Sequence, residues 1–186
     1  METNHSYCKF TNKLAENNLH KIYHNTEYGF PVNSDKELFG RLILEINQAG
    51  LSWDIILKKR NAIKKAYSNF NIQKVAKYQE NDIIKLLNNK RIIRNRLKIN
   101  AIIYNANRII DLQNKFGSFK NWLDNNSKLT LSLWITTFKK NFKFTGKEIT
   151  KEFLISTGYV KGAHTNKCKI FRLTINAGAM WYKIKN

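Results

Sequence analysis

Proline is nearly absent from this chain, one residue in 186, and glycine is limited to eight. That scarcity excludes collagen-like repeats, Pro/Gly-rich linkers and the turn-dense pattern of a β-sandwich. Cysteine is scarce too: Cys8 and Cys168 stand alone near opposite ends. In a reducing compartment such a pair is a poor disulfide, and metal ligation is its sharper use. No apolar run approaches the roughly 18 residues of a membrane span. The opening METNHSYCKF also lacks the charged-then-apolar order of a signal peptide, so the expected location is the cytoplasm. Acidic residues are the last shortage, 13 Asp and Glu against 33 Lys and Arg, for a formal charge of +20.

A charge that large exceeds what solubility requires and points to a polyanion, nucleic acid first, with a ribosome-associated or anionic-membrane role as competitors. The length suits one domain with a real core and no disulfide staples. Apolar residues recur with the 3.6-residue period rather than in alternation, so the fold class is all-α, a single-domain helical bundle. Helices are expected at roughly 12–22, 35–48, 53–67, 72–77, 82–88, 95–115, 119–125, 131–141 and 149–157. Ser52 and Asn81 are placed to cap the helices they precede, and Gly117 and Gly158 to end the ones they follow. The segment 169–186 is an extension too apolar for a free tail, docking on the body or on a partner.

The richest stretch begins at Ser34-Asp35-Lys36-Glu37, a capping-box pattern, and ends at Ala49-Gly50. Leu38, Phe39, Leu42, Ile43, Ile46 and Ala49 share one helical arc, with Glu45 about 20° beyond Leu38 at its edge. Trp53 follows the turn. On placement alone the commoner reading is a salt-bridged helix carboxylate and a core tryptophan. The alternative is a pocket for a flat cationic or hydrogen-bonding ring.

Four motifs occur in order: Tyr23-His24-Asn25-Thr26-Glu27-Tyr28-Gly29, Gln48-Ala49-Gly50-Leu51-Ser52-Trp53, Ile92-Ile93-Arg94-Asn95-Arg96-Leu97-Lys98-Ile99 and Phe142-Lys143-Phe144-Thr145-Gly146. Together they resemble the DNA-3-methyladenine glycosylase I family over residues 5–168. The resemblance implies a structural zinc snap joining the termini through Cys8, His24, His164 and Cys168; a helical turn between the last two would bring them to one metal. It implies a base pocket in which Glu45 is the catalytic and base-recognising carboxylate, Trp53 the stacking ring and Tyr23 a wall. Tyr28 stands where the family usually has Trp, Phe10 is a further aromatic, and Asn47 replaces a common Gln. It implies a helix-hairpin-helix whose Lys90, Arg91, Arg94, Arg96 and Lys98 hold the DNA backbone, with Arg91 where the family tends to have Gly. The linker near 126–132 is shorter than is usual for the family. Glu148 and Glu152 read as solvated carboxylates at a helix start.

The implied activity is monofunctional excision of 3-methyladenine from alkylated double-stranded DNA by a monomeric, nucleoid-associated enzyme. Two other readings stay open: a catalytically impaired, zinc-stabilised DNA-binding protein of this fold, and a basic RNA-associated structural protein.

Overall fold

The computed structural model describes residues 3–184 and is helical, with no strand among the described residues. Its order is α1 Thr3–Asn12, α2 Leu19–Thr26, α3 Asp35–Gln48, α4 Trp53–Ala66, a 3-10 turn Ser68–Phe70, α5 Ile72–Ala76, α6 Glu80–Asn88, α7 Arg96–Phe116, α8 Phe119–Asn125, α9 Leu131–Asn141, α10 Lys147–Ser156, α11 Lys169–Asn176 and α12 Met180–Lys183. These helices cluster into two compact units: residues up to Val32 with those from Lys151, and residues 33–150.

The second unit is built around α3. The arc seen in the sequence is its core, with Leu38, Phe39, Leu42, Ile43 and Ile46 fully buried. Burial runs without a break from Leu38 to Asn47, so α3 is a central helix rather than a surface one. It packs on α4, α7 and α8. Ser34 sits at its N-cap position without a side-chain cap bond. The neighbouring Asp35 instead accepts the backbone N–H of Phe119 and Lys120 at 2.8 and 2.9 Å, placing a carboxylate on the first turn of α8. Gln113 donates to the same carboxylate at 2.7 Å.

The local chemistry sets the other boundaries. Ser52 accepts from Ile55 N–H as expected, and Gly117 and Gly158 take φ of +82° and +77°. Asn81 lies inside α6, which starts one step earlier, because Gln79 and Asp82 form a reciprocal capping box. The helix expected over 12–22 is broken: α1 ends at Asn12 and α2 starts after Asn18, whose side chain accepts from His20 N–H. A strong N-cap residue overrides the periodicity there. The short segment at 126–132 is a tight turn entering α9, with Thr130 accepting from Leu133 N–H.

In the first unit the segment after Cys168 forms α11 and α12. Trp181 N–H donates to Gly158 carbonyl at 3.2 Å, and Lys161 lies 5.5 and 5.9 Å from the Trp181 and Phe171 rings.

Candidate functional site

Cys8 on α1, His24 on α2, and His164 and Cys168 after α10 are all buried, and their ligand atoms lie within 4.8 Å of one another. Two glycines let these segments close. Gly29 N–H donates to Ser156 carbonyl at 2.9 Å, and a Cβ on Gly29 would sit 2.4 Å from Ala163 Cβ, beside His164. Gly158 meets the Gly29 carbonyl with the same lack of room, and its positive φ suits glycine. His164 and Cys168 are joined by a turn, with Cys168 N–H bonded to Thr165 carbonyl, rather than by the helical turn expected.

The donor set is oriented for a cation. His164 Nε2–H donates to Tyr28 carbonyl at 2.7 Å, and His24 Nδ1–H donates to Asn25 Oδ1 at 2.8 Å. Each ring therefore turns its bare nitrogen inward, and those nitrogens are 3.1 Å apart. Two facing lone pairs repel unless something positive lies between them. The sulfur–nitrogen distances run from 3.3 to 3.8 Å. A tetrahedral ion with metal–nitrogen bonds of about 2.0 Å and metal–sulfur bonds of about 2.3 Å requires nitrogen–nitrogen edges of about 3.3 Å and sulfur–nitrogen edges of about 3.5 Å, close to both sets of distances. Burial pushes the Cys8 thiol up to about 11, and burial, reinforced by His24, pushes His164 down to about 4. A metal ion supplies the charge that burial otherwise denies the thiolates, so the group can hold one.

An aromatic cluster adjoins these ligands in the same unit. Tyr23 and Tyr28 are buried with centroids 5.6 Å apart, and Tyr7, which the sequence did not single out, meets Tyr28 at 5.5 Å and His24 at 5.7 Å. Phe10 is exposed and stacks on Tyr7. The Tyr28 hydroxyl donates to Glu152 Oε2 at 3.2 Å, so Glu152 is not merely the solvated helix carboxylate expected. Nothing in the local pattern around Glu152 announces this pairing across 124 residues.

In the second unit, Glu45 is 4% exposed on α3 and Trp53, half-buried, opens α4. Between them Gly50, at φ +77°, ends α3. The end of α3 is held from α7: Lys98 Nζ donates to the carbonyls of Asn47 and Ala49 at 2.9 and 2.7 Å. Lys98 was expected among the DNA-backbone cations, but it is 5% exposed and its ammonium is directed to these carbonyls. Burial lowers its pKa. The Phe144 ring lies 5.9 Å away, on a turn at φ +60° that Asn105 grips through both Lys143 backbone groups.

Lys90, Arg91, Arg94 and Arg96 remain exposed in the hairpin between α6 and α7. Asn89 takes the N–H groups of Arg91, through its side chain, and of Ile92, through its carbonyl. Those two donors are thus committed within the loop, and the cationic side chains are what the loop presents. Arg96 also pairs with Glu80 at 2.8 Å. A cavity of about 400 Å³ bounded by Arg108, Lys115, Trp122 and Lys140 contains none of the residues singled out by sequence.

A model of the family described as methyladenine glycosylase matches residues 13–132. DNA-3-methyladenine glycosylase 1 of Escherichia coli (strain K12) is 33% identical over 166 residues, covering 79% of this chain and 89% of that protein. The DNA-3-methyladenine glycosylase of Haemophilus influenzae is 28% identical over 174 residues, 83% of this chain and 94% of that one. A solved Tyr-to-Phe variant of 3-methyladenine DNA glycosylase I, in complex with 3-methyladenine, matches with a TM-score of 0.80 at 28% identity, covering 89% of this chain and 97% of that one. The class is therefore the all-helical DNA-glycosylase fold. Within it, the chain belongs to the methyladenine glycosylase family.

Proposed function

We propose that this protein is a monofunctional DNA glycosylase that flips 3-methyladenine out of alkylated double-stranded DNA and releases it by hydrolysis. The observation that carries the reading is the buried carboxylate Glu45 on α3, one turn of chain before Trp53, in a member of this family. The names of the relatives support the same reaction.

A base within the stack cannot be reached, so the nucleotide rotates out at a cost of a few kcal/mol, least for a damaged base. The 3-methylated ring is already cationic, its glycosidic bond is weak, and it leaves as a neutral base without a strong general acid. Selection and placement then supply most of the catalysis. Trp53 stacks on the flipped ring, while Tyr23, Tyr28 and Phe10 contribute aromatic surface. Glu45 accepts hydrogen bonds from the base and favours both its charge and the oxocarbenium-like sugar, rather than activating water. Lys90, Arg91, Arg94 and Arg96 hold phosphates; with two loop N–H groups committed to Asn89, the Arg91 cation replaces a backbone contact.

Cys8, His24, His164 and Cys168 hold a structural zinc ion. Four protein ligands leave no open position, so the ion ties the ends of the chain and takes no part in the reaction. The outward N–H bonds of His24 and His164 fix the tautomers this requires. Residues 1–168 form the glycosylase domain and 169–186 an appended segment. The enzyme acts as a monomer in the cytoplasm, at the nucleoid; no helix among the described residues is long and apolar enough to cross a membrane.

The test is release of free 3-methyladenine from methylated duplex by the unmutated protein. Glu45→Gln and Trp53→Ala should each slow release by about 100-fold or more, a loss of about 3 kcal/mol of transition-state stabilisation. Salt-sensitive binding with no release by the unmutated chain would reject the enzyme in favour of a binding protein.

A further inference from the structure

Resting on the structural-zinc reading, we infer that the segment after Cys168 is a metal-retention clamp: α11 and α12 close the loop that carries His164 and Cys168 back onto its own start, with Lys161, Phe171 and Trp181 as the clasp.

The first half of this loop is fastened from the N-terminal segment. Gly29 N–H donates to the Ser156 carbonyl and His164 Nε2–H to the Tyr28 carbonyl, at 2.9 and 2.7 Å. Cys168 stands at the far end, with its backbone N–H engaged by Thr165 inside the same turn. A chain stopping there would leave a ligand sulfur on a fraying end. This chain continues instead. Cys168 is the N-cap residue of α11, and Phe171 N–H donates to its carbonyl at 3.1 Å, so the ligand is built into a helix start. The segment then turns at Gly178, φ +89°, with Ala179 N–H on the Thr174 carbonyl at 3.1 Å. Thr174 and Ala179 are 2% and 0% exposed, so this corner is docked rather than free.

From the corner, α12 returns to where the loop began. Trp181 N–H donates to the Gly158 carbonyl at 3.2 Å, at the same glycine against which the Gly29 carbonyl is packed. Lys161, three residues before His164, supplies the clasp. Its Nζ lies 5.5 Å from the Trp181 ring and 5.9 Å from the Phe171 ring, and those rings are 5.7 Å apart. One cation on the ligand loop thus holds both returning helices through their aromatic faces. A four-coordinate ion leaves when a ligand swings away, and His164 and Cys168 swing away when this loop opens. The clasp raises the free energy of that local opening without touching the metal.

The test uses the full-length, zinc-loaded protein and compares Lys161→Met, Trp181→Ala and Trp181→Phe with the unmutated chain. Two quantities are measured: the rate of zinc transfer to an excess of a colorimetric chelator, and the visible spectrum of the cobalt(II)-loaded protein. Lys161→Met and Trp181→Ala should each lose zinc about threefold to tenfold faster, the size expected for lost cation–π contacts. Trp181→Phe, which keeps an aromatic face, should recover most of the difference. The cobalt spectrum should not change, because no ligand is altered. Lys98→Met loosens the other unit and sets the scale for general destabilisation; its zinc loss should stay within about twofold of the unmutated rate. Zinc loss at the unmutated rate from both Lys161→Met and Trp181→Ala overturns the clamp and leaves the zinc reading intact. An equal acceleration in Lys98→Met also overturns it, assigning these residues to overall stability, as does an altered cobalt spectrum, which assigns them to ligand geometry. An unmutated protein that binds no zinc removes both proposals together.

Discussion

Four side chains from three separate stretches of sequence, Cys8, His24 and the His164–Cys168 pair, act as one chemical object. Burial raises the pKa of Cys8 and lowers those of His24 and His164, because it disfavours their charged forms in the absence of a cation. His164, pushed down to about 4 from an ordinary value near 6.5, is the clearest case. Its folded-state pKa is depressed, so the unfolded chain binds the proton more readily, and acid favours unfolding. Chelator-treated protein should therefore be most stable above about pH 6.5 and lose stability as the pH falls towards 4, measured as a falling urea midpoint. His164→Gln should flatten that dependence; an unchanged pH profile in this variant would argue against His164 as the responsible group. At this scale the ligand identities were legible through resemblance, because cysteine is so rare that both copies stood out. Glu152 and Tyr7 were not, since a hydrogen bond across 124 residues leaves no local spacing to read.

The informative element is the corner from α3 into α4 together with the helix that holds it. Periodicity gave the buried arc of α3 and the end at Ala49-Gly50, because those are local steric and solvation preferences. It did not give the fastening. Lys98 looked like one more cation in a basic hairpin, and only packing turns its ammonium onto the last carbonyls of α3. Helix C-terminal carbonyls lack intrahelical partners and carry partial negative charge, so a cation is favoured there. Lys98→Met keeps the aliphatic stem and removes both bonds. The expected cost is about 2 kcal/mol, given the usual strength of hydrogen bonds from charged donors, or a melting temperature lower by about 4 to 8 °C for a chain of this size. Lys98→Arg should recover part of it. A methionine variant melting with the unmutated protein would show that the fastening contributes nothing measurable.

At the scale of the whole molecule two forces can be separated by solution conditions. The charge of +20 makes DNA affinity a salt-dependent quantity. If six to ten phosphates are neutralised, affinity should fall by roughly three to five decades between 50 and 200 mM salt. Arg94→Ala should reduce the slope of log affinity against log salt by about one, while Lys98→Met should leave that slope unchanged. A metal ion held by Cys8, His24, His164 and Cys168 would act on the other axis. Removing it should lower the melting temperature of the protein without altering the salt slope, because the ligands hold the chain ends and contact no phosphate.

The sequence by itself determined the helical class, the core face of α3, the turn at Gly50 and the candidate metal ligands. The first three follow from residue type at short spacing, and the ligands from the resemblance to a known family, in which the two rare cysteines stand out. Tertiary structure alone decided that Lys98 is a fastener, that Asp35 stabilises the first turn of α8, that Asn89 commits two of the hairpin's N–H groups, and that Tyr28 leans on Glu152. Polar side chains choose partners by what burial brings near them, and that proximity is set only when distant segments have packed.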